Sequence, residues 1–365
     1  MAQDDVERTP LEQRPPRPAP PQIIIQQPPT MFGRFGKWLV AALVLAVMMC
    51  VGLYASYQNY FSPADAPQEK YHSLERYATK KIAVIEIDGP IMEADGFVKK
   101  QIDRVREDDD VVAVVLRVNS PGGTVTASDY LYHHLRELAG GSERNDARNL
   151  PLVVSMGGVC ASGGYYVSMA VGDQADAIFA EPTTWTGSIG VIIPRYDLTG
   201  PLGAIRVKDD SIASGEFKQM GSPTRPMSAE ERELLESMVD DSFNRFKSIV
   251  LSGRPKLSED AAAFEAVTTG RIFTANQALE HRLIDKIGFI EAAIERAAEL
   301  AGESTANLRC VKYEQPPTLL GGMMGAESPL QSRSGSVDLA ALLDLTAPRA
   351  YYLWTWLPTA LANPR

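Results

Sequence analysis

The sequence predicts an α/β domain that follows a single membrane-spanning helix. An uncharged apolar run extends over residues 38–55, and a helix needs about 20 such residues to cross the hydrocarbon core of a bilayer. Further along, short runs rich in β-branched residues alternate with stretches of helical periodicity, which is typical of buried strands in α/β domains. At 365 residues, the chain can form one large domain with appendages.

Four apolar runs are predicted to be strands because each ends in turn residues or glycine. A closing strand is expected near residues 308–313, after a helix at 290–300. Leu131, Leu135 and Leu138 recur at helical spacing, and Ser228 with Glu231 predicts a capping box at the start of a long helix. The four runs are 82–87, 111–118, 152–156 and 177–180.

The flanks of the apolar run predict its orientation. Arg34 and Lys37 precede the run, whereas residues 56–67 contain no lysine or arginine. Positive charge collects on the cytoplasmic side, so the N-terminus is expected inside and most of the chain outside. A cleavable signal peptide is the alternative, but the run is longer than a typical apolar signal region and lies behind a proline-rich tail.

Composition narrows the classes of partner and cofactor. The net charge of −10 argues against binding to a nucleic-acid backbone. The spacing of Cys50, Cys160 and Cys310 predicts neither a disulfide framework nor a zinc site. We therefore expect no metal and no organic cofactor, and we interpret Cys160 as a small buried side chain.

Ser162 is the candidate nucleophile because it lies in the glycine-flanked sequence VCASGGYY. A glycine-rich turn before a helix would expose its hydroxyl and leave the Gly163 amide as a free donor. The turn NSPGG, with Gly122 and Gly123, follows a neighbouring strand and could supply further amides for an oxyanion. Taken singly, both motifs also fit ordinary turns and helix caps.

The candidate base is a lysine. After Ser162 the next histidine is His281. The positions of the histidines favour residues of the tether and of helix surfaces over a catalytic base. Two lysines, Lys208 and Lys218, lie between Ser162 and the long capped helix, and Lys208 is followed by two aspartates that would keep it protonated. Lys218 is therefore the better candidate. The histidines are His72, His133, His134 and His281.

Five ordered motifs together resemble the signal peptide peptidase A family of membrane-anchored Ser-Lys peptidases. The resemblance extends over about residues 81–313 and implies a Clp protease/crotonase-like fold of repeated β-β-α units, in the short single-copy form of the family. The motifs are LRVNSPGGTVTASDYLYHHL, VVSMGGVCASGGYYVSMA, TGSIGVIIPR, SGEFKQMGSPTRPMSAEE and GRIFTANQALEHRLIDKIG.

The resemblance assigns roles residue by residue. Ser162 would be the nucleophile and Lys218 the general base. Ser188 in TGSIG would orient the lysine; its alternative is a turn cap, and that of Lys218 is a solvated surface position. The glycines that would form the oxyanion hole are Gly163, Gly122 and Gly123.

The resemblance implies a serine endopeptidase that degrades cleaved signal peptides and other membrane-derived or extended polypeptides. It further implies a homo-oligomeric ring or dome at the bacterial inner membrane, with an extracytoplasmic catalytic domain in contact with the lipid bilayer. One alternative is a catalytically inactive membrane scaffold of the same fold. Another is a crotonase-like acyl-CoA enzyme, which an exported location opposes because coenzyme A is cytosolic.

The expected organisation has five parts. They are a disordered proline-rich cytoplasmic tail (1–33), a transmembrane helix (34–56), a tether (57–80), the peptidase domain (81–313) and a C-terminal extension (314–365) that combines a linker with an apolar aromatic segment.

Overall fold

The computed structural model describes residues 34–61, 66–140, 148–315 and 350–353, and the chain divides into two units at Pro63. In the first unit, helix α1 extends over Arg34–Phe61. Its stretch Gly36–Tyr54 has a mean hydropathy of 2.1 and is long and apolar enough to cross a membrane. The helix thus covers the predicted span and continues beyond it. The predicted disordered tail, residues 1–33, lies outside the described residues.

The second unit contains a mostly parallel sheet, which confirms the α/β fold class. Its strand order is β1-β10-β2-β3-β5-β6-β9, with β7 between β5 and β8, and a separate pair joins β11 to β4. The strands are β1 Gln68–Leu74, β2 Lys81–Asp88, β3 Val111–Ser120, β4 Gly122–Thr124, β5 Leu152–Ala161, β6 Ile178–Ala180, β7 Trp185–Gly187, β8 Ile272–Thr274, β9 Lys286–Ile287, β10 Arg309–Glu314 and β11 Tyr351–Leu353.

Helices cover both faces of the sheet, so the central strands β2, β3 and β5 are buried. The α-helices of this unit are α2 Phe97–Glu107, α3 Val125–Leu138, α4 Gly163–Ser168, α5 Thr199–Ala204, α6 Ala229–Gly253, α7 Ala261–Val267, α8 Ala275–Glu280 and α9 Ile290–Leu300. Shorter 3₁₀ helices are Met169–Val171, Glu216–Gln219, Pro255–Glu259 and Thr305–Asn307.

Two buried clusters show why these residues form these layers. On one face, Ala293, Ile294 and Ala297 of α9 pack on Val84 and Val115 of the sheet. The larger cluster on the other face includes residues of α2, α3, α4 and α6. Each fully buried valine, leucine or isoleucine contributes about 1.5–3 kcal/mol, so the β-branched runs are the main source of stability of the sheet.

Capping side chains mark the starts of two helices, and one of these caps was predicted from the sequence. Ser228 accepts a hydrogen bond from the Glu231 amide and Glu231 reaches back to the Ser228 amide, which confirms the capping box of α6. Thr124 caps α3 by accepting from the Ala127 amide at 3.2 Å. The cap of α3 matters for the site because Thr124 is also the last residue of β4.

The structure differs from the expected organisation at both ends of the peptidase domain. Strand β1, within the expected tether 57–80, pairs antiparallel with β10. Strand β11, within the expected extension 314–365, pairs antiparallel with β4. The sequence of β1 has no apolar alternation because it is an edge strand whose polar side chains form ion pairs, such as Lys70 with Glu314 at 2.7 Å. The expected linker lies almost entirely outside the described residues.

Candidate active site

The carboxyl ends of three parallel strands bring the candidate residues to one edge of the sheet. Ser120 of β3 pairs with Cys160 of β5, and Ala161 of β5 pairs with Gly187 of β7. The loops that follow these strands therefore begin side by side. Ligands of open α/β sheets bind at such an edge.

Ser162 occupies a strained turn between β5 and α4. Its φ of 53° and ψ of −113° are rare for a residue with a side chain and are typical of a nucleophile held on a sharp strand-to-helix turn. Two hydrogen bonds fix this backbone: the Ser162 amide donates to the Gly187 carbonyl at 2.8 Å, and the Ser162 carbonyl accepts from the Tyr166 amide at 2.8 Å. The serine is thus positioned by a strand on one side and a helix on the other.

The glycine turn after β3 lies directly against the start of α4. Gly122 has φ +99°, and a methyl group on it would lie 2.6 Å from the Gly163 amide nitrogen. A methyl group on Gly163 would lie 3.0 Å from the Gly123 amide nitrogen. Side chains at these positions would separate the two loops. Glycine therefore allows the amides of both loops to approach one another beside Ser162.

The amides of the two turn glycines have different partners. The Gly122 amide donates to the Ser120 hydroxyl at 3.1 Å, so it is engaged within its own turn. Gly123 pairs with Tyr352 of β11. The Gly123 amide faces the strand that pairs with β4. Of the two turn glycines it is therefore the better candidate for an oxyanion donor, together with Gly163.

Ile91 holds the glycine turn in place from the outside. Its amide donates to the Gly122 carbonyl at 2.8 Å, and its carbonyl accepts from the Thr124 amide at 2.9 Å. A methyl group on Gly123 would lie 1.8 Å from the Ile91 carbonyl oxygen. The turn is thus fixed by backbone contacts that leave no room for a side chain.

Ser188 joins the same edge, whereas Lys218 does not contact it. Ser188 is buried with φ 51°, and its amide donates to the Arg271 carbonyl at 2.8 Å. Lys218 is exposed in the 3₁₀ helix Glu216–Gln219. Within the described residues its side chain makes no hydrogen bond or ion pair, so neither Ser162 nor Ser188 is joined to it.

The other groups considered from the sequence have structural surroundings. Burial raises the pKa of the Cys160 thiol to about 12, which leaves it protonated and unreactive. His281 packs edge-on against Phe273. His133, His134 and Glu137 bring potential metal-ligand atoms within 4.8 Å of one another, but Arg106 donates to Glu137 at 3.0 Å and its positive charge opposes a bound cation.

Two residues near the site were not predicted. Ser128 of α3 is fully buried, its hydroxyl has no hydrogen-bond partner in the described structure, and a methyl group on Gly163 would lie 2.5 Å from it. Tyr352 lies against the glycine turn although it is about 190 residues from Ser162 in sequence. The aromatic run at 350–358 is a signal in the sequence, but nothing in it indicates which strand it joins.

Comparison with known proteins identifies the family. A "Putative protease" of Synechocystis sp. is 35% identical over 266 residues, covering 72% of this chain and 90% of the relative. The profile of peptidase family S49 matches residues 144–304. The chain belongs to peptidase family S49, the signal peptide peptidase A family. The matched S49 region contains Ser162, Ser188 and Lys218, but not the turn with Gly122 and Gly123.

Other S49 relatives have more specific names. A "Putative signal peptide peptidase SppA" of Enterococcus faecium is 34% identical over 233 residues, which is 60% of this chain and 64% of the relative. Protease 4 of Salmonella typhi is 33% identical over 264 residues, 70% of this chain and 39% of the relative. These similarities make the S49 chain a serine peptidase with the Clp protease-like fold of its family.

Proposed function

We propose that this chain is a membrane-anchored serine endopeptidase in which Ser162 is the nucleophile and Lys218 the general base. The observation that carries the proposal is the convergence of the strained Ser162 turn with the amides of Gly163 and Gly123. This arrangement has the parts of an acyl-transfer site: a positioned hydroxyl and backbone donors for a tetrahedral oxyanion.

The reaction would have two stages. Lys218 takes the proton of the Ser162 hydroxyl while Oγ bonds to the substrate carbonyl carbon, and the Gly163 and Gly123 amides bind the oxyanion. Lys218 then protonates the amide nitrogen as the C–N bond breaks, which releases the amine and leaves an acyl-enzyme. Water attacks the ester, Lys218 takes its proton, and that proton returns to Ser162 as the acid product leaves.

A lysine can act as this base only when its amine is removed from water. In the single chain Lys218 is exposed, so the proposal requires a contact that covers it and brings it to Ser162 and Ser188. The surrounding segment carries exposed apolar side chains suited to such a contact, and we propose a second copy of the chain in a homo-oligomeric ring or dome as the partner. Those side chains are Ile205, Val207, Ile212 and Phe217.

The location and substrate class follow from α1. We propose that α1 anchors the chain in the bacterial inner membrane with the N-terminus inside, because Arg34 and Lys37 lie on one flank of the apolar stretch. The extracytoplasmic peptidase domain would then meet cleaved signal peptides and other extended membrane-derived chains. The name of the Enterococcus faecium relative supports this substrate class.

An inactive scaffold is the second candidate, favoured by the lack of a contact between Lys218 and Ser162 in the described residues. The experiment uses the full chain in detergent with an unfolded protein and a synthetic signal peptide as substrates. Ser162→Ala and Lys218→Ala should each lower kcat/KM by about 10³-fold or more. The matched controls are Ser237→Ala on the exposed surface of α6 and Lys208→Ala on the exposed segment before Lys218.

Hydrolysis that survives both active-site substitutions would exclude the dyad. A folded, assembled chain that hydrolyses neither substrate would instead support the scaffold. The rate should also rise with pH as the base loses its proton, and a fall towards alkaline pH while the fold persists would contradict a lysine base.

A further inference from the structure

The turn that follows β1 forms one wall of a surface cleft. The Tyr71 hydroxyl donates to the Leu74 carbonyl at 2.7 Å, and Leu74 has φ 70°, which marks a sharp change of direction. The Glu75 amide donates to the Leu308 carbonyl at 3.0 Å and so joins the turn to the residue before β10. Arg76 lies over the Tyr71 ring, with Cζ 5.5 Å from the ring centroid. The turn therefore sets the position of the Arg76 guanidinium.

The cleft has a volume of about 270 Å³ and is lined by β1, the turn and β10. A water molecule takes up about 30 Å³ of the liquid, and pockets for drug-sized ligands have volumes of about 300–1,000 Å³. The cleft is therefore of a size suited to a group such as a phosphate ester. Its lining residues are Glu69, Tyr71, Arg76, Tyr77, Arg309 and Val311.

The carboxylate of the cleft is already neutralised, whereas one of its arginines is not. Glu69 accepts from Lys81 at 2.8 Å and pairs with Arg309 at 3.2 Å. Arg309 uses one of its nitrogen atoms in this pair and keeps further donors. Within the described residues, the Arg76 guanidinium makes no hydrogen bond or ion pair. The cleft therefore offers guanidinium donors to an anion.

Two tyrosines of the cleft are exposed to solvent. Tyr77 is 88% exposed and Tyr71 is 41% exposed. The Tyr77 amide donates to the Glu75 carboxylate at 3.3 Å, which holds this residue in the turn. Tyrosine is enriched at the headgroup level of bilayers, because its ring is apolar and its hydroxyl is polar.

The order of elements in the chain indicates the source of the anion. Helix α1 ends at Phe61, and β1, which lines the cleft, begins at Gln68. In a chain anchored by α1, β1 is thus the first strand to follow the bilayer. Phosphate groups of lipid headgroups are concentrated at a membrane surface, and arginines close to it bind anionic lipids.

We propose that this cleft binds the headgroup of an anionic phospholipid, with Arg76 and Arg309 as the residues that bind the phosphodiester. The inference goes beyond peptide hydrolysis and rests only on the proposed anchoring by α1. A guanidinium is planar and donates two parallel hydrogen bonds to phosphate oxygens. A zwitterionic headgroup is disfavoured because the same arginines repel its ammonium group.

The first test measures protection at the cleft itself. The full chain is placed in nanodiscs of phosphatidylcholine, with or without phosphatidylglycerol, and treated with phenylglyoxal, which modifies arginine. Peptide mass spectrometry gives the rate of modification at Arg76 relative to Arg232, which is exposed on α6. We expect phosphatidylglycerol to lower this ratio about 5-fold. An unchanged ratio would overturn the proposal.

The second test changes the cleft. The full chain in detergent is titrated with short-chain phosphatidylglycerol or phosphatidylcholine, and native mass spectrometry measures the bound fraction. Arg76→Gln, at an exposed position that the fold tolerates, should lower the affinity for phosphatidylglycerol about 5-fold and leave that for phosphatidylcholine unchanged. Arg232→Gln is the matched control and should alter neither affinity. Equal effects of the two substitutions would contradict a site at Arg76.

A soluble phosphate ester shares the chemistry of the headgroup, so a further arm separates the two sources. Inorganic phosphate and glycerol phosphate are added to the nanodiscs of phosphatidylcholine alone. Weak protection of Arg76 by both supports a lipid as the ligand. Protection as strong as that by phosphatidylglycerol would overturn the lipid and indicate a soluble phosphate.

Failure of the cleft and failure of the anchor give different results. If α1 does not anchor the chain, vesicles of neither composition retain it, and the titration in detergent still decides the cleft because it needs no bilayer. A preference for phosphatidylglycerol that Arg76→Gln reduces supports the cleft. Retention by vesicles together with equal affinities for the two lipids would leave the anchor standing and overturn the cleft.

Discussion

The amide of Ser162 donates a hydrogen bond to the carbonyl of Gly187 at 2.8 Å. This bond continues the pairing of β5 with β7 by one residue past Ala161, and it brings the turn of Ser162 to the turn of Ser188. Both serines have positive φ, 53° and 51°, so the sheet register holds two strained turns side by side. The nucleophile and its proposed orienting partner are therefore positioned by backbone pairing.

A substitution at Gly122 should distinguish the effect of the close contact between Gly122 and Gly163 from the effect of a strained backbone. Gly122→Ala would place a methyl group 2.0 Å from the Tyr352 carbonyl and 2.6 Å from the Gly163 amide nitrogen, so we expect kcat/KM to fall by about 10²-fold or more as an oxyanion donor is displaced. Gly89→Ala is the matched control because Gly89 has φ +81° and no atom within 4 Å of the added methyl.

The control should lose only about 1 kcal/mol of unfolding free energy and retain its activity. Urea titration followed by circular dichroism measures the first quantity, and hydrolysis of an unfolded protein measures the second. Equal activity of the two variants would show that the approach of Gly122 to Gly163 has no catalytic consequence.

A structural feature could be predicted from the sequence when the residues that specify it are neighbours in the sequence or belong to an ordered set of motifs. Buried strands, the capping box of Ser228 and Glu231, and the fold class were predicted because each is specified by neighbouring residues or by an ordered set of motifs. The clustering of Ser162 with the glycine turn was predictable for a related reason, since parallel strands end at a common edge. The roles of Lys218 and Ser188 in catalysis stay predictions.

The pairings of β1 and β11 could not be predicted from local pattern. Strand β1 is polar because it is an edge strand, so it has no alternation to recognise. Tyr352 is buried only because Tyr166 and Phe246, far away in the sequence, form a pocket for it. Ser128 is similar: its position beside Gly163 depends on how α3 packs against α4, which no local signal specifies.

Asp285 should make stability dependent on acid pH. Burial disfavours its charge, but the hydrogen bond from Arg254 at 2.7 Å and the Ala177 and Ile178 amides, both at 2.9 Å, outweigh this and lower its pKa. A carboxyl whose pKa is lower in the folded state stabilises fully above its unfolded pKa, and the contribution is lost as pH falls through the folded value.

Asp285→Asn should therefore lower the unfolding free energy by about 3 kcal/mol at neutral pH, because Arg254 would stay buried without its partner. The loss should shrink as pH falls below about 4, because the carboxyl of the unfolded chain then takes up a proton while the folded carboxyl, whose pKa is lowered, still carries its charge. Asp176→Asn is the control, since Asp176 pairs with Lys286 on the surface and should change stability by less than about 1 kcal/mol. Chemical unfolding between pH 3 and 7 measures both variants. An equal loss of stability in the two would contradict a stabilising role for the pair of Asp285 with Arg254.

Cys160 should be chemically silent although it lies two residues before the nucleophile. Burial raises the pKa of Cys160 and of Cys310 to about 12, and both thiols are inaccessible. Iodoacetamide at pH 8 should therefore modify neither cysteine in the folded chain and both after denaturation, as measured by peptide mass spectrometry. Cys160→Ala should keep at least about half of the activity, and a loss comparable to that of Ser162→Ala would refute the structural interpretation.

Two substitutions at the start of α3 should differ in their effect on the free energy of unfolding. The Ser128 hydroxyl is buried and unpartnered in the described structure. Folding therefore removes this hydroxyl from water without a compensating hydrogen bond, and Ser128→Ala should leave the unfolding free energy unchanged or raise it. Thr124→Ala removes the cap that accepts from the Ala127 amide and should lower it by about 1 kcal/mol. Thermal unfolding of each variant measures the change in the free energy of unfolding. A Ser128→Ala chain that loses as much stability as Thr124→Ala would mean that the hydroxyl has a partner, such as an ordered water, beside Gly163.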